Sequence, residues 1–109
     1  MNFDEYQAKA TTTSTLTDNN IKPLYFTLGL TGEAGEIAEK IKKIIRNHDG
    51  DFSKLDLDDI KKELGDVLWY LAMLSHTFGI SFDDVAKTNI DKLADRKARG
   101  VIKSTGDNR

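Results

Sequence analysis

Apolar residues recur at helical intervals through most of the chain, and the breaks in that rhythm predict four helices. Asn2 to about Ala10 carries Phe3, Tyr6 and Ala10 along one side and reads as a short helix. From Thr11 to Asn20 the period is lost. That stretch is polar, rich in β-branched Thr and ends in Asp18-Asn19-Asn20, the composition of a connector. Pro23, the only proline, suits the first turn of a long second helix, where its missing N–H has no intrahelical partner, and the pattern then runs to about Asn47. His48-Asp49-Gly50-Asp51 is a turn signal. Asp56 is placed to cap a third helix reaching about Phe78, with Asp58 and Asp59 complementing its dipole. After Gly79, Ser81-Phe82-Asp83-Asp84 resembles a capping box opening a fourth helix, which runs to about Arg99 before Gly100. The tail from Val101 to Arg109 has no helical period.

Two acidic pairs stand out against this pattern: Glu33 and Glu36 on the second helix, Glu63 and Asp66 on the third, each pair three residues apart and so on one helix face. With Glu33 at zero on its wheel, Leu30, Ala34, Ile37, Ile41 and Ile44 fall at roughly 20 to 100° and Glu36 near 300°. With Glu63 at zero, Ile60, Leu64, Val67, Leu68, Leu71 and Leu74 occupy roughly 20 to 140°, and Asp66 again falls near 300°. Each pair thus borders an apolar stripe at the same offset. If the two helices fold as an antiparallel hairpin about His48 to Ser53, Glu36 and Glu63 face each other and four carboxylates converge on one edge of the core. Like charges so placed need protons or cations. Oxygen-only ligands without Cys or suitably spaced His favour Mg²⁺, with Mn²⁺ as a possible substitute, over Zn²⁺, and Mg²⁺ commonly accepts phosphate oxygens as well.

Other residues extend the picture. Asn89 and Lys92 lie three apart on the fourth helix, with Arg96 one further turn along. Tyr70 lies on the same side of its helix as Asp66. Gly29, Gly32 and Gly35 each cost about 1 kcal/mol relative to Ala inside a helix, so close helix approach is expected there. Trp69, roughly 240° from Glu63, suits a subunit interface. Glu39 continues the acidic spacing but turns away from the stripe, where Lys42 or Lys43 can pair with it.

Composition narrows the class. A chain of 109 residues with 39% hydrophobic content reads as one domain, 1–109, ending in the non-helical tail 101–109. Helices of this length bury only a limited core alone, so a homodimer or homotetramer is expected. A net charge of -2 gives no overall electrostatic reason to bind nucleic acid or an anionic membrane. The absence of Cys excludes disulfides, a thiol nucleophile and Cys-based zinc sites. Neither a signal peptide nor a membrane span is legible, and the expected location is cytoplasmic.

Taken together, these residues resemble the MazG-type, all-α nucleoside triphosphate pyrophosphohydrolases, whose signature is E-E-x-x-E on one helix and E-x-x-D on the next. The run Gly32-Glu33-Ala34-Gly35-Glu36 departs at its first position, a form similar to that of compact dCTP pyrophosphatases. The resemblance covers Leu28 to Lys43, Glu63 to Ala72, the spacing Asn89-x-x-Lys92-x-x-x-Arg96, and the terminal Gly106-Asp107-Asn108-Arg109. It implies a four-helix MazG-like bundle with a long antiparallel central hairpin. It also implies Mg²⁺ held by Glu33, Glu36, Glu63 and Asp66, and cleavage of a nucleoside triphosphate to monophosphate and pyrophosphate. Glu36, with Glu33 next, would orient or deprotonate the attacking water. Asn89, Lys92, Arg96 and Tyr70 would contact the nucleotide. The alternatives are a phosphoribosyl-ATP pyrophosphatase, and a helical interaction module that binds metal or nucleotide without turnover.

Overall fold

The computed structural model describes residues 1–109. It contains four α-helices and no strand: α1 Phe3–Thr11, α2 Lys22–His48, α3 Leu57–Thr77 and α4 Phe82–Ala98, with a 3₁₀ turn at Phe52–Lys54. The expected all-α architecture is therefore observed, with helix ends displaced by only a residue or two. The local causes include the caps expected at Asp56 and Ser81, and one at Asn2, a residue expected inside the helix. The side chains of Asn2, Asp56 and Ser81 accept from the backbone N–H of Glu5, Asp59 and Asp84, capping α1, α3 and α4. α2 starts without a side-chain cap but carries Pro23 in its first turn. It ends where Asp49 (φ 52°) and Gly50 (φ 77°) turn the chain left-handed.

α2 and α3 run antiparallel and form the main packing unit of the chain. Their cross-helix partners show the register. Phe26 meets the edges of Trp69 and Tyr70 at the end far from the turn, Glu33 meets Glu63 and Asp66 midway, and Lys40 meets Asp59 and Glu63 nearer the turn. α1 and α4 close over α3 at the Phe26 end, where Ala10, Phe26, Ala72, Met73 and Phe82 form the core. Phe26 is completely buried. Trp69, expected at a subunit interface, instead packs edge-on against Phe26 with ring centroids 5.8 Å apart. Its indole N–H donates to the Thr13 hydroxyl at 2.8 Å, which fastens the connector 12–20 to α3.

The apolar stripes are wider than the contact between the helices. Ile37, Ile41, Ile44, Ile60, Val67 and Leu74 are buried or half-buried, whereas Ala34, Leu64 and Leu71 stay exposed, and Leu24 and Leu28 add further exposed apolar surface on α2. Only 8 of 109 residues are buried, and the total accessible surface is 7826 Å². A folded monomer of this mass typically exposes about 6,100 Å².

α1 and α4 are joined by reciprocal capping. The Asp83 carboxylate accepts from the backbone N–H of Phe3 and Asp4 at 3.0 and 3.2 Å, while Asp4 accepts from the Asp83 N–H at 3.0 Å and from the Ser81 hydroxyl at 2.8 Å. Between them Gln7, buried, donates to the carbonyls of Ala72 and Ile80 and accepts from the Phe82 N–H, so one amide satisfies groups of α3, of α4 and of the turn between them. The Asp4 carboxyl is held below its usual pKa, chiefly by the Asp83 N–H and then by Ser81. A depressed carboxyl stabilises the fold above the unfolded-state pKa and loses that contribution as pH falls through the folded one. Thermal denaturation should therefore show stability lost below about pH 4. Asp4→Ala should lower the neutral-pH Tm by about 2–5 °C and flatten the acid slope. An unchanged slope in the variant would assign the acid sensitivity to other groups.

Candidate active site

The hairpin brings together Glu33 from α2 and Glu63 and Asp66 from α3, with one carboxylate oxygen from each lying within 4.8 Å of the others. Glu33 and Glu63 are half-buried and Asp66 is exposed. The Glu33 carboxyl is pushed above its usual pKa, first by burial and then by the charges of Asp66, Glu63 and Glu36. Neither Glu33 nor Asp66 has an ion-pair partner. Glu63 does: Lys40 spans 2.8 Å to its Oε1 and 2.5 Å to Asp59 Oδ2. Those bonds, Asp59's first, hold the Lys40 ammonium well above its usual pKa.

Glu36, expected opposite Glu63, lies outside this cluster, exposed and without an ion pair. The wheel alone does not separate the two, since Asp66 has the same offset from its stripe as Glu36 and still joins the cluster; it is the crossing of α2 over α3 that presses Glu33, and not Glu36, against α3.

Tyr70 crosses to α2 over Gly29. A Cβ on Gly29 would lie 2.1 Å from Tyr70 Cε1, so this glycine is required by the ring. At Gly32 and Gly35 no atom comes within 4 Å of a built Cβ, and close helix approach within the chain explains Gly29 alone. The Tyr70 phenol has its pKa raised, mainly by burial, then by Tyr25, Glu33 and Asp66, which places it beside the acidic cluster. Tyr6 of α1, not foreseen from the sequence, is also near Asp66. Burial and that charge raise its pKa, and with Met1, Phe3 and Leu68 it lines a cavity of about 270 Å³. Lys40 was equally unforeseen. Its signal was present, since it follows Glu33 by two helical turns on the same face.

Asn89 and Lys92 line a separate open groove of about 410 Å³ with Ile80, Asp84, Val85 and Thr88. Lys92 and Arg96 form no ion pair with the acidic cluster; both pair with Asp107 of the tail. Glu39 pairs with Lys42 at 2.8 Å, as its outward rotation suggested.

The donor set suits a hard divalent cation: three carboxylates, oxygen only, pressed together with one lysine as their nearest counter-charge. Glu33, Glu63 and Asp66 could hold such an ion, with Glu36 one turn away.

The MazG nucleotide pyrophosphohydrolase domain matches residues 22–101, the span from the start of α2 to just past α4. The gene 37 protein of Mycobacterium phage L5 is 45% identical over 114 aligned positions, which cover 100% of both chains. No solved structure matches the chain.

The contact at Gly29 is directly testable by urea denaturation. Gly29→Ala should lose about 1–3 kcal/mol through overpacking against Tyr70. Gly32→Ala, which has open space at the same atom, should be neutral or stabilising by up to about 1 kcal/mol. Equal effects at both positions would show that the Tyr70 ring yields.

Proposed function

Because the chain belongs to the MazG nucleotide pyrophosphohydrolase family, we propose that it hydrolyses nucleoside or deoxynucleoside triphosphates to the monophosphate and pyrophosphate, with Mg²⁺ as cofactor. The observation that carries this reading is the meeting of Glu33, Glu63 and Asp66 across the α2–α3 hairpin, all within 4.8 Å. A divalent cation bound there supplies charge neutralisation for phosphate oxygens and makes a water more acidic. Glu36, unpaired and one turn from Glu33, takes the proton from a water attacking the α-phosphorus in line with the departing pyrophosphate. Glu33, more hydrophobic in its surroundings and raised in pKa, is the second candidate for that role. Tyr70, with Tyr6 as a second phenol that senses the charge of Asp66, orients the nucleotide next to that acid. Asn89, Lys92 and Arg96 supply contacts for the phosphates.

The same reading takes residues 1–109 as one catalytic domain that works as a homo-oligomer. The uncovered residues Leu24, Leu28, Leu64 and Leu71 fit the hairpin of a second copy. Such pairing would bury the surface by which the chain exceeds an ordinary monomer.

Chromatography of reactions with each common NTP and dNTP, in Mg²⁺ and in EDTA, tests the activity. Monophosphate and pyrophosphate should form only with the metal. Glu63→Gln, Asp66→Asn and Glu36→Gln should each lower turnover by about 10²–10⁴-fold while the protein stays folded. Full activity in all three variants would remove the proposed site. Light scattering after size exclusion tests the assembly: the mass should be at least twice 12.2 kDa, and Leu64→Glu with Leu71→Glu should dissociate it. A wild-type protein that elutes as a monomer at working concentration would refute the assembly.

A further inference from the structure

The tail 101–109 is folded back along α4. Arg96 is the anchor. Its side chain is only 5% exposed, and its Nη2 donates to the Asp107 carbonyl at 2.7 Å, to Asp107 Oδ1 at 3.1 Å and to the Gly106 carbonyl at 3.5 Å. Lys92 Nζ reaches the same Oδ1 at 3.3 Å. Two cations therefore share one carboxylate oxygen, and one positive charge is left without a partner. Arg96 Nε is buried with no hydrogen-bond acceptor. Asp107 itself is 83% exposed, so its carboxylate closes the site from the solvent side and can leave without disturbing a core. The tail supports its own shape: the Arg109 guanidinium donates to the carbonyls of Val101, Ile102 and Gly106, and Arg99 donates to the Arg109 carbonyl. Gly100 (φ 71°) and Gly106 (φ 87°) supply the turns at its two ends. From Lys92 the groove continues past Asn89 and Thr88, with Asp84 as the one acid in its lining.

We propose that the Asp107 carboxylate is an internal competitor for phosphate: it occupies the cationic site of Lys92 and Arg96 in the free chain, and a diphosphate or triphosphate group displaces it. This rests on the reading of Lys92 and Arg96 as phosphate contacts. A phosphate group matches what the tail leaves unsatisfied. It carries more charge than one carboxylate and presents several acceptor oxygens, so Lys92 and the Arg96 fork no longer share a single atom. The Asp107 carboxyl, held below its usual pKa by Arg96 and then Lys92, stays ionised as the occupant of the free site. The tail is thus a strap whose closed form is the ligand-free form, and phosphate affinity is reduced by the need to open it.

Inorganic pyrophosphate is the probe, titrated calorimetrically into the full chain in EDTA, where neither metal nor turnover contributes. Asp107→Asn, which keeps the shape and removes the charge, should bind about three- to tenfold more tightly than wild type. Lys92→Gln should lose most of the binding. In the unaltered protein, pyrophosphate should speed hydrogen exchange at the tail amides 101–109, a readout independent of any variant's folding. Equal or weaker binding by Asp107→Asn, tail exchange that slows or stays constant, or no pyrophosphate binding by a folded wild type would each overturn the proposal. A chain that hydrolyses nucleotides but shows one of these results keeps its activity and loses only the strap.

Discussion

Three carboxylates within 4.8 Å of one another repel, and their positions make sense only because the α2–α3 packing forces them together. The hairpin obtains its cohesion from Phe26, Ile37, Ile41, Ile44, Val67 and Leu74, which are drawn into the seam whatever the acids prefer. Glu33 sits at the edge of that seam and cannot turn away without pulling the stripe out of register. The strain appears as its raised pKa, with burial as the leading cause. Lys40 relieves only part of it. Its ammonium satisfies Glu63 and Asp59 and leaves Glu33 and Asp66 unpaired. A scaffold optimised for stability alone would place neutral or oppositely charged groups there; a site that binds a multivalent cation needs the opposite.

The second constraint is the imbalance between apolar surface and cover. α1 and α4 close only one end of the hairpin, and they do so with polar chemistry: the Asp4–Asp83 exchange of caps and the three-way amide of Gln7. Their apolar contribution is concentrated in Ala10 and Phe82. Even beside Phe26 and Ala72 the hairpin keeps Leu24, Leu28 and Leu71 exposed on another face, with Leu64 further along. Water-exposed leucines in such number on a small chain are a cost that pairing with another copy removes.

Much of this was legible in the sequence because it depends on local or periodic signals. Caps at Asp56 and Ser81, Pro23 in the first turn and the turn at His48 to Asp51 follow from the chemistry of single residues. The pairing of the acidic motifs followed from their common offset to the stripes. What escaped was the ranking within the site. The wheel alone gave Glu33 and Glu36 similar standing, and only the crossing of the two helices separates them. Lys40 was hidden by an ordinary context of surface lysines. Trp69 was misplaced because the wheel describes one helix at a time: its far-side position is covered by the connector through Thr13, a contact between residues 56 apart in the chain. Tails are harder still, since a turn built by Arg109 on backbone carbonyls leaves no periodic trace.

The two charged sites share a design principle. The acids of the hairpin and the cations of α4 are kept from pairing with each other; had Lys92 or Arg96 closed on Glu33, each set would have cancelled the other before any ligand arrived. Instead each set has a local partner of single charge, Lys40 for the acids and Asp107 for the cations. Partly exposed pairs of this kind are worth little in water, so replacing either partner forfeits little stability. On the proposed readings, a divalent cation or a phosphate chain, which carries more charge in a comparable volume and offers more ligand or acceptor positions, would outcompete these single-charge partners. On the proposed function, the binding energy available to the nucleotide is then the difference between these exchanges. The single charge of Lys40 and of Asp107 is what leaves that difference large.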